Sequence, residues 1–320
     1  MAFQRPDVRA FLDILNASPM GRLGEFSVAE TRALFDQARA AGPASDHGLA
    51  IVRDLAFPGA GGDVRLRFYE VRAERSPGPL VLYFHGGGFV LGDLESHHPL
   101  CIEMARSLDL PIVSVDYRLA PEHPWPAAPE DAEAAARWCA EASGQTLGRA
   151  VTGLVLAGDS AGGNLAAVTA RALRDRPAAA PVMAQALIYP TTGGDRRTPS
   201  MAEFSDGYFL NQKAIDWFNG AYDAAAGDPC YDLFASDLAG MPPTFLVTAG
   251  LDPLRDEGRA YAAALVQAGV NVVYQEARGN IHGCFGMAAA IPSSAADVAG
   301  ALAALRLLAD GKLNTSSHEL

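Results

Sequence analysis

A chain of 320 residues, 49% hydrophobic and 19% charged, is long enough to bury a sizeable core and has the make-up of a soluble globular protein. Its formal net charge of -12 argues against nucleic acid and anionic membrane as partners, because both repel a strongly acidic surface. Cys101, Cys139, Cys230 and Cys284 are scattered without a C-x-x-C or paired Cys/His spacing, so neither a metal site nor a disulfide framework is expected, and a reducing compartment is.

The first residues carry Arg5, Asp7, Arg9 and Asp13, which interrupt any apolar run that could serve as a secretory signal; the expected location is the cytoplasm. Residues 5–41 read as two helices. Val8, Phe11, Leu12 and Leu15 share one face of the first. Ser27-Val28-Ala29-Glu30 is a capping-box signature opening the second, which carries Thr31, Leu34, Phe35 and Ala38 and stops at Gly42-Pro43. Two strand-like runs follow, Leu49 to Phe57 and Val64 to Val71. The glycine cluster between them, Pro58 to Gly62, lacks a G-K-[ST] ending and precedes a strand, so it reads as a hairpin turn rather than a phosphate loop.

Leu80 to Phe84 is a buried strand running directly into His85-Gly86-Gly87-Gly88-Phe89. Three successive glycines are costly to order in a plain loop. They make sense where bare N–H groups converge on one point, as in a loop that donates to an oxyanion. A helix around Leu100–Leu108 and a strand from Pro111 to Val115 lead into the proline-rich loop Asp116–Pro126, too long and stiff for a simple connection. A helix over Glu130–Glu141 precedes Leu154 to Leu165, reading LVLAGDSAGGNL. There an apolar strand ends in Gly158-Asp159-Ser160-Ala161-Gly162, a G-x-S-x-G turn that presents a serine hydroxyl between strand and helix. Strand and helix alternate from residue 80 onward, which predicts a mostly parallel, helix-flanked sheet of the α/β class with its functional groups at the carboxyl ends of the strands.

Val182 to Tyr189 is the next strand. The longest uncharged stretch, Pro177 to Gly194, is broken by Pro181, Gln185 and Pro190 and so is no membrane span. Thr191 to Ser205 is polar and irregular, and Asn211–Tyr222 reads as a helix with Ile215, Trp217 and Phe218 available to pack. This insertion is expected to form a lid over the strand ends together with the N-terminal helices. A strand, Thr244 to Gly250, ends in Leu251-Asp252-Pro253-Leu254 and is followed by a helix to about Ala268. Asn271 to Glu276 is the last expected strand. After Gly279-Asn280-Ile281-His282-Gly283-Cys284-Phe285 a final helix reaches about Leu308, and the polar tail Asn314–Leu320 is expected to be disordered.

A serine alcohol needs a base, and the base an orienting carboxylate. With a G-x-S-x-G turn these follow in the order Ser, Asp or Glu, His. Of seven histidines only His282 and His318 follow Ser160, and His318 lies in the tail. Asp252 lies two residues beyond the glycine at its strand end, whereas Asp256 and Glu257 fall in the next helix as first-turn charges. Asp159 is expected to bond neighbouring backbone, holding either the serine turn or the proline-rich loop. Glu122 and His123 read as architectural, and Cys284 as a small core or pocket-wall residue.

Together HGGG at His85–Gly88, YRLAPEHPWP at Tyr117–Pro126, GDSAG at Gly158–Gly162, Leu251–Leu254 and Ile281-His282-Gly283 resemble the bacterial hormone-sensitive-lipase family of esterases, and within it the GDSAG subgroup, over residues 80 to 290. The resemblance implies an α/β-hydrolase fold with a helical cap. The cap would be residues 1–45 and 195–226, the core 46–194 and 227–312, and the tail 313–320. It implies hydrolysis of short- to medium-chain carboxylic esters by Ser160, His282 and Asp252. It places oxyanion donors at Gly87, Gly88 and Ala161, with His85, Gly86 and Asp159 in support. No cofactor and no metal is implied; the partner is a small ester, and homodimers occur in the family. One departure is local: Asn280 and Cys284 flank His282 where similar sequences carry an apolar residue and an aromatic, which bears on the acyl pocket. The alternatives are an amidase or aryl-amide deacylase on the same triad, a non-catalytic ligand-binding protein of the same fold, and an interfacial lipase. The last is disfavoured by the acidic charge and the lack of a large apolar lid.

Overall fold

The computed structural model describes residues 2–40, 48–141, 146–193 and 197–310; the expected helix stop at Gly42-Pro43 and the tail 313–320 lie outside them. Among the described residues eight strands, β1 (Ile51–Gly59), β2 (Gly62–Glu70), β3 (Gly78–Phe84), β4 (Ile112–Asp116), β5 (Val151–Asp159), β6 (Val182–Ile188), β7 (Thr244–Leu251) and β8 (Val272–Ile281), form one sheet. Their order is β1-β2-β4-β3-β5-β6-β7-β8. The glycine cluster is the hairpin turn expected: Gly59 stands opposite Gly62, and β2 also runs antiparallel to β4. All pairs from β4 to β8 are parallel. Parallel neighbours require crossover helices, which is what the alternating sequence supplies.

Among the described residues the α-helices include α1 (Pro6–Asn16), α2 (Val28–Ala40), α3 (His98–Leu108), α4 (Ala127–Glu141), α5 (Ala161–Asp175), α6 (Pro199–Glu203), α7 (Gln212–Tyr222), α8 (Arg255–Gln267) and α9 (Ser294–Ala309). Central strands are apolar on both faces because both faces are covered. In β3, Leu80, Leu82 and Phe84 share a core with Ala132 of α4, Leu165 of α5 and Tyr261 of α8. Val81 and Tyr83 point the other way, into a core with Met104 of α3 and Leu302 of α9. A third cluster joins Val8, Leu12 and Leu15 of α1 to Leu251 and Ile281, so the N-terminal helix caps the ends of β7 and β8.

Local signals act as expected in α2. The Ser27 N–H donates to Glu30 Oε2 at 2.9 Å, and the Glu30 N–H donates back to Ser27 Oγ at 3.3 Å, closing the capping box. Two expectations need correction. The stretch 191–205 contains a short helix, α6, initiated by Thr198, whose hydroxyl accepts from the Met201 N–H. The last strand does not stop at Glu276 but runs on to Ile281. Its pairing with β7 shifts register between Ala249 and Leu251, and Gly279 takes φ 75, a left-handed conformation open to glycine, which absorbs the shift.

Candidate active site

The sheet order reverses at β3, whose neighbours β4 and β5 both follow it in sequence. The crevice at such a reversal lies beyond the carboxyl ends of the strands, here between the His85–Gly88 loop after β3 and Ser160 after β5. Ser160 takes φ 55 and ψ -118, a strained pair of angles for a residue with a side chain. The turn tolerates it because its flanking glycines let backbone approach backbone. A Cβ on Gly162 would lie 1.9 Å from the Phe84 carbonyl oxygen, and one on Gly158 2.2 Å from that of Gly162. The Ser160 N–H is anchored to the Ile188 carbonyl at 2.8 Å.

The β7–β8 register delivers the other two groups. Leu251 pairs with Ile281, so the residues that follow, Asp252 and His282, leave the sheet side by side. Asp252 Oδ2 lies 2.7 Å from His282 Nδ1, and His282 Nε2 lies 2.8 Å from Ser160 Oγ. Asp252 is fully buried, and its Oδ1 accepts the Leu254 N–H at 2.9 Å, which fixes the carboxylate plane. The Tyr189 ring packs on the imidazole at 4.8 Å between centroids. This arrangement can pass a proton from the serine hydroxyl to the imidazole, with the carboxylate holding the Nδ1 proton.

Opposite the serine, the Gly87 carbonyl accepts from the N–H groups of Val90 and Leu91 at 3.1 and 2.8 Å, folding the loop into a turn. The N–H groups of Gly87 and Gly88 donate to no other group among the described residues. The Ala161 N–H opens α5 and has no intrahelical acceptor. Side chains are excluded here: a Cβ on Gly88, which has φ 61, would strike the Phe218 ring of α7 at 2.3 Å.

Asp159 holds a loop, as its position suggested, but it is the glycine loop and not the proline-rich one. Its Oδ1 accepts from the Gly86 N–H at 2.8 Å and the Tyr83 hydroxyl at 2.6 Å, with His97 Nε2 at 3.3 Å. The proline-rich loop reaches the same place through Tyr117, whose hydroxyl donates to the His85 carbonyl at 2.7 Å and whose ring stacks on the His85 imidazole. Burial pushes the His85 imidazole down to about 4, helped by the neighbouring His97. Tyr83 and His97 escaped the sequence reading, and Tyr117 entered it only as part of the proline-rich run, with no role given. A tyrosine inside an apolar strand was the available signal for Tyr83; only the folded sheet brings His97 to Asp159.

The remaining residues take structural places. Glu122 forms a two-point ion pair with Arg32 of α2, tying the N-terminal region to the proline-rich loop. Asp256 and Glu257, in the first turn of α8, accept from the N–H groups of Ser200 and Thr192 rather than approaching His282. Asn280 and Cys284 do not shape the substrate pocket: both are fully buried, and Asn280 Nδ2 donates to Ser294 Oγ and Asp297 Oδ2, each at 2.9 Å. The cavity over Ser160 has about 1470 Å³ and is walled by Leu23 and Phe35 from the N-terminal region, Ile215 and Phe218 of α7, and Phe285. Among the described residues no cluster of His, Cys, Asp and Glu is arranged to hold a metal ion, and no helix is long and apolar enough to cross a membrane.

A family profile described as alpha/beta hydrolase fold matches residues 81–286. The chain is 43% identical over 267 residues to esterase LipI of Mycobacterium tuberculosis, covering 81% of this chain and 83% of that protein. It is 35% identical over 288 residues to ethyl acetate hydrolase of Pseudomonas putida, covering 83% and 87%. Among solved structures, the hyperthermophilic esterase from Pyrobaculum calidifontis superposes with a TM-score of 0.85 at 37% identity, over 96% of this chain and 99% of that one. A thermostable esterase from Pseudomonas putida ECU1011 superposes with a TM-score of 0.88 at 31% identity, over 95% and 97%.

Proposed function

The chain belongs to the alpha/beta hydrolase family, and we propose that it works as a serine carboxylesterase through Ser160, His282 and Asp252. It is a carboxylic ester hydrolase, as are its relatives named esterase and ethyl acetate hydrolase. The observation that carries the residue assignment is the unbroken hydrogen-bond chain from Asp252 through His282 to Ser160, ending on a hydroxyl that faces the cavity.

In this reading His282 Nε2 takes the Ser160 proton as Oγ attacks the ester carbonyl. The N–H groups of Gly87, Gly88 and Ala161 receive the oxyanion, each donor being worth about 3 kcal/mol in a preorganised site. His282 returns the proton to the departing alcohol, and water repeats the sequence on the acyl-enzyme. No step calls for a cofactor. His85, Gly86 and Asp159 support the donors from behind.

Of the finer parts of the reading, membership of the GDSAG subgroup, short- to medium-chain esters as substrates and a homodimer rest on the resemblance, and a cytoplasmic location on the scattered cysteines. The division into cap (1–45 and 195–226) and core is supported by α1, α2, α6 and α7 flanking the strand ends. Hydrolysis of p-nitrophenyl acetate, butyrate, octanoate and palmitate tests the function. Turnover is expected on the shorter esters, and Ser160→Ala is expected to lower kcat by at least about a thousandfold in a folded protein. A near-normal rate in that variant would sink the assignment.

A further inference from the structure

The glycine loop does not hold its own shape. Gly87, Gly88 and Phe89 take φ 118, 61 and 63 in succession, so a residue with a side chain occupies the left-handed region beside the two glycines that face Ser160. Such a conformation persists where the surroundings fix it. On the near side, the Gly86 N–H is held by Asp159 at 2.8 Å. On the far side, the carbonyls of Phe89 and Val90 find their partners outside the loop. That of Phe89 accepts from the Ala120 N–H of the proline-rich loop at 2.9 Å. That of Val90 accepts from Arg32 Nε of α2 at 3.0 Å.

Arg32 does more than reach one carbonyl. Its Nη2 donates to the Ala120 carbonyl at 3.0 Å, and Glu122 accepts from Nη1 and Nη2 at 2.7 and 2.9 Å. A planar guanidinium with its donors in a fixed fork suits this task, bridging carbonyls on two loops while a carboxylate holds its other edge. The helix that carries it is set locally: the Ser27–Glu30 capping box starts α2, and the Thr31 hydroxyl donates to the Ser27 carbonyl at 2.9 Å. Arg32 and Phe35, about one turn apart, both line the reaction cavity. The oxyanion donors at Gly87 and Gly88 thus lie between two charged anchors, Asp159 on one side and Arg32 on the other.

We propose that Arg32 is a positioning residue for the oxyanion donors: from the N-terminal region it fixes the turn after Gly88, and with it the direction of the Gly87 and Gly88 N–H groups. This rests on the carboxylesterase reading. Those donors meet a charge that develops in the transition state, so misaiming them lowers kcat and leaves KM in place. A displacement of about 1 Å at a reacting centre can cost on the order of a hundredfold.

The test is kcat and KM for p-nitrophenyl butyrate in wild type, Arg32→Ala and Arg32→Lys. Active Ser160 is counted by the p-nitrophenol released from a p-nitrophenyl phosphonate, so a misfolded fraction drops out. Arg32→Lys keeps a charge beside Glu122 but lacks the fork that bridges two carbonyls. In both variants kcat per active serine is expected to fall at least about tenfold, with KM within about twofold of wild type. Inhibition by a trifluoromethyl ketone is read alongside. Ser160 Oγ bonds its carbonyl carbon, the π pair moves onto oxygen, the proton passes to His282, and the oxyanion faces the same donors. The affinity for the ketone is expected to fall in step with kcat. A smaller fall in kcat in either variant, a change confined to KM, or a loss of kcat with the ketone's affinity unchanged overturns the inference and leaves the esterase reading standing. Failure of wild type to hydrolyse the butyrate overturns that reading and this inference with it.

Discussion

Asp159 is buried beside Ser160 and yet ionised. Burial alone pushes its carboxyl up, but His97 and the donors on Tyr83 and Gly86 outweigh burial and hold it at about 2. The anion is therefore present at any working pH and clamps the glycine loop. Asp159→Ala leaves the Tyr83 hydroxyl and the Gly86 N–H without their acceptor. We expect a loss of about 3 kcal/mol in urea unfolding, with kcat for butyrate falling more than KM rises, and a milder effect for Asp159→Asn, which keeps an acceptor. His85 is the converse, a buried imidazole held neutral down to about 4. Below its ordinary value of 6.5 the unfolded chain takes up a proton that the folded chain refuses. Stability contributed by the neutral form is complete above pH 6.5 and is lost as pH falls toward 4, on the order of 3 kcal/mol over that window. Urea midpoints measured from pH 7.5 to 4.5 check this: the slope of stability with pH is expected to be shallower in His85→Gln. A slope equal to that of wild type would contradict it.

At the scale of elements, the end of β8 is pinned by the N-terminal segment. Arg5 forms a two-point ion pair with Asp297 at 2.6 and 2.8 Å and donates to the Arg278 carbonyl, while Asp297 also accepts from Asn280. The Arg5 guanidinium and Asp297 carboxylate are both mostly buried, so breaking the pair strands a charge. Arg5→Ala is expected to cost about 2 kcal/mol in urea unfolding. An unchanged midpoint would show that α1 is held by its apolar face alone. The polar Asn280, which as a sequence feature pointed toward the acyl pocket, belongs to this clamp. Which way its amide points depends on the strand reaching Ile281, and that extension depends on the left-handed turn at Gly279. Residue types near Glu276 carry no sign of it, because a register shift is set by the partner strand.

For the whole molecule, charge decides how substrate is met. Ion pairs Arg32–Glu122 and Arg39–Asp93 are among the groups lining the reaction cavity, and the chain carries a formal net charge of -12. Paired charges at that site and an acidic chain are poorly matched to the surface of an oil droplet. The rate on tributyrin is therefore expected to follow a hyperbola through its solubility limit, without a jump; a sharp rise on crossing that limit would reveal interfacial activation.

Much of this protein was legible in the chain because the signals are local. Alternating strand and helix predicted the parallel sheet, glycines marked the two tight loops, chain order left His282 as the base for Ser160, and a strand-end position favoured Asp252 as the carboxylate. What only the tertiary structure decided lies between elements distant in sequence. The Leu251–Ile281 pairing sets Asp252 beside His282. Burial sets the neutral state of His85, whereas the donors gathered around Asp159 keep it charged against burial. Tyr231 meets Asn219 of α7 through a hydrogen bond beside the cavity. Local patterns follow from backbone sterics and periodicity, which each segment carries in itself. Charge state, register and cavity shape follow from which groups exclude water from one another, and that is a property of packed neighbours.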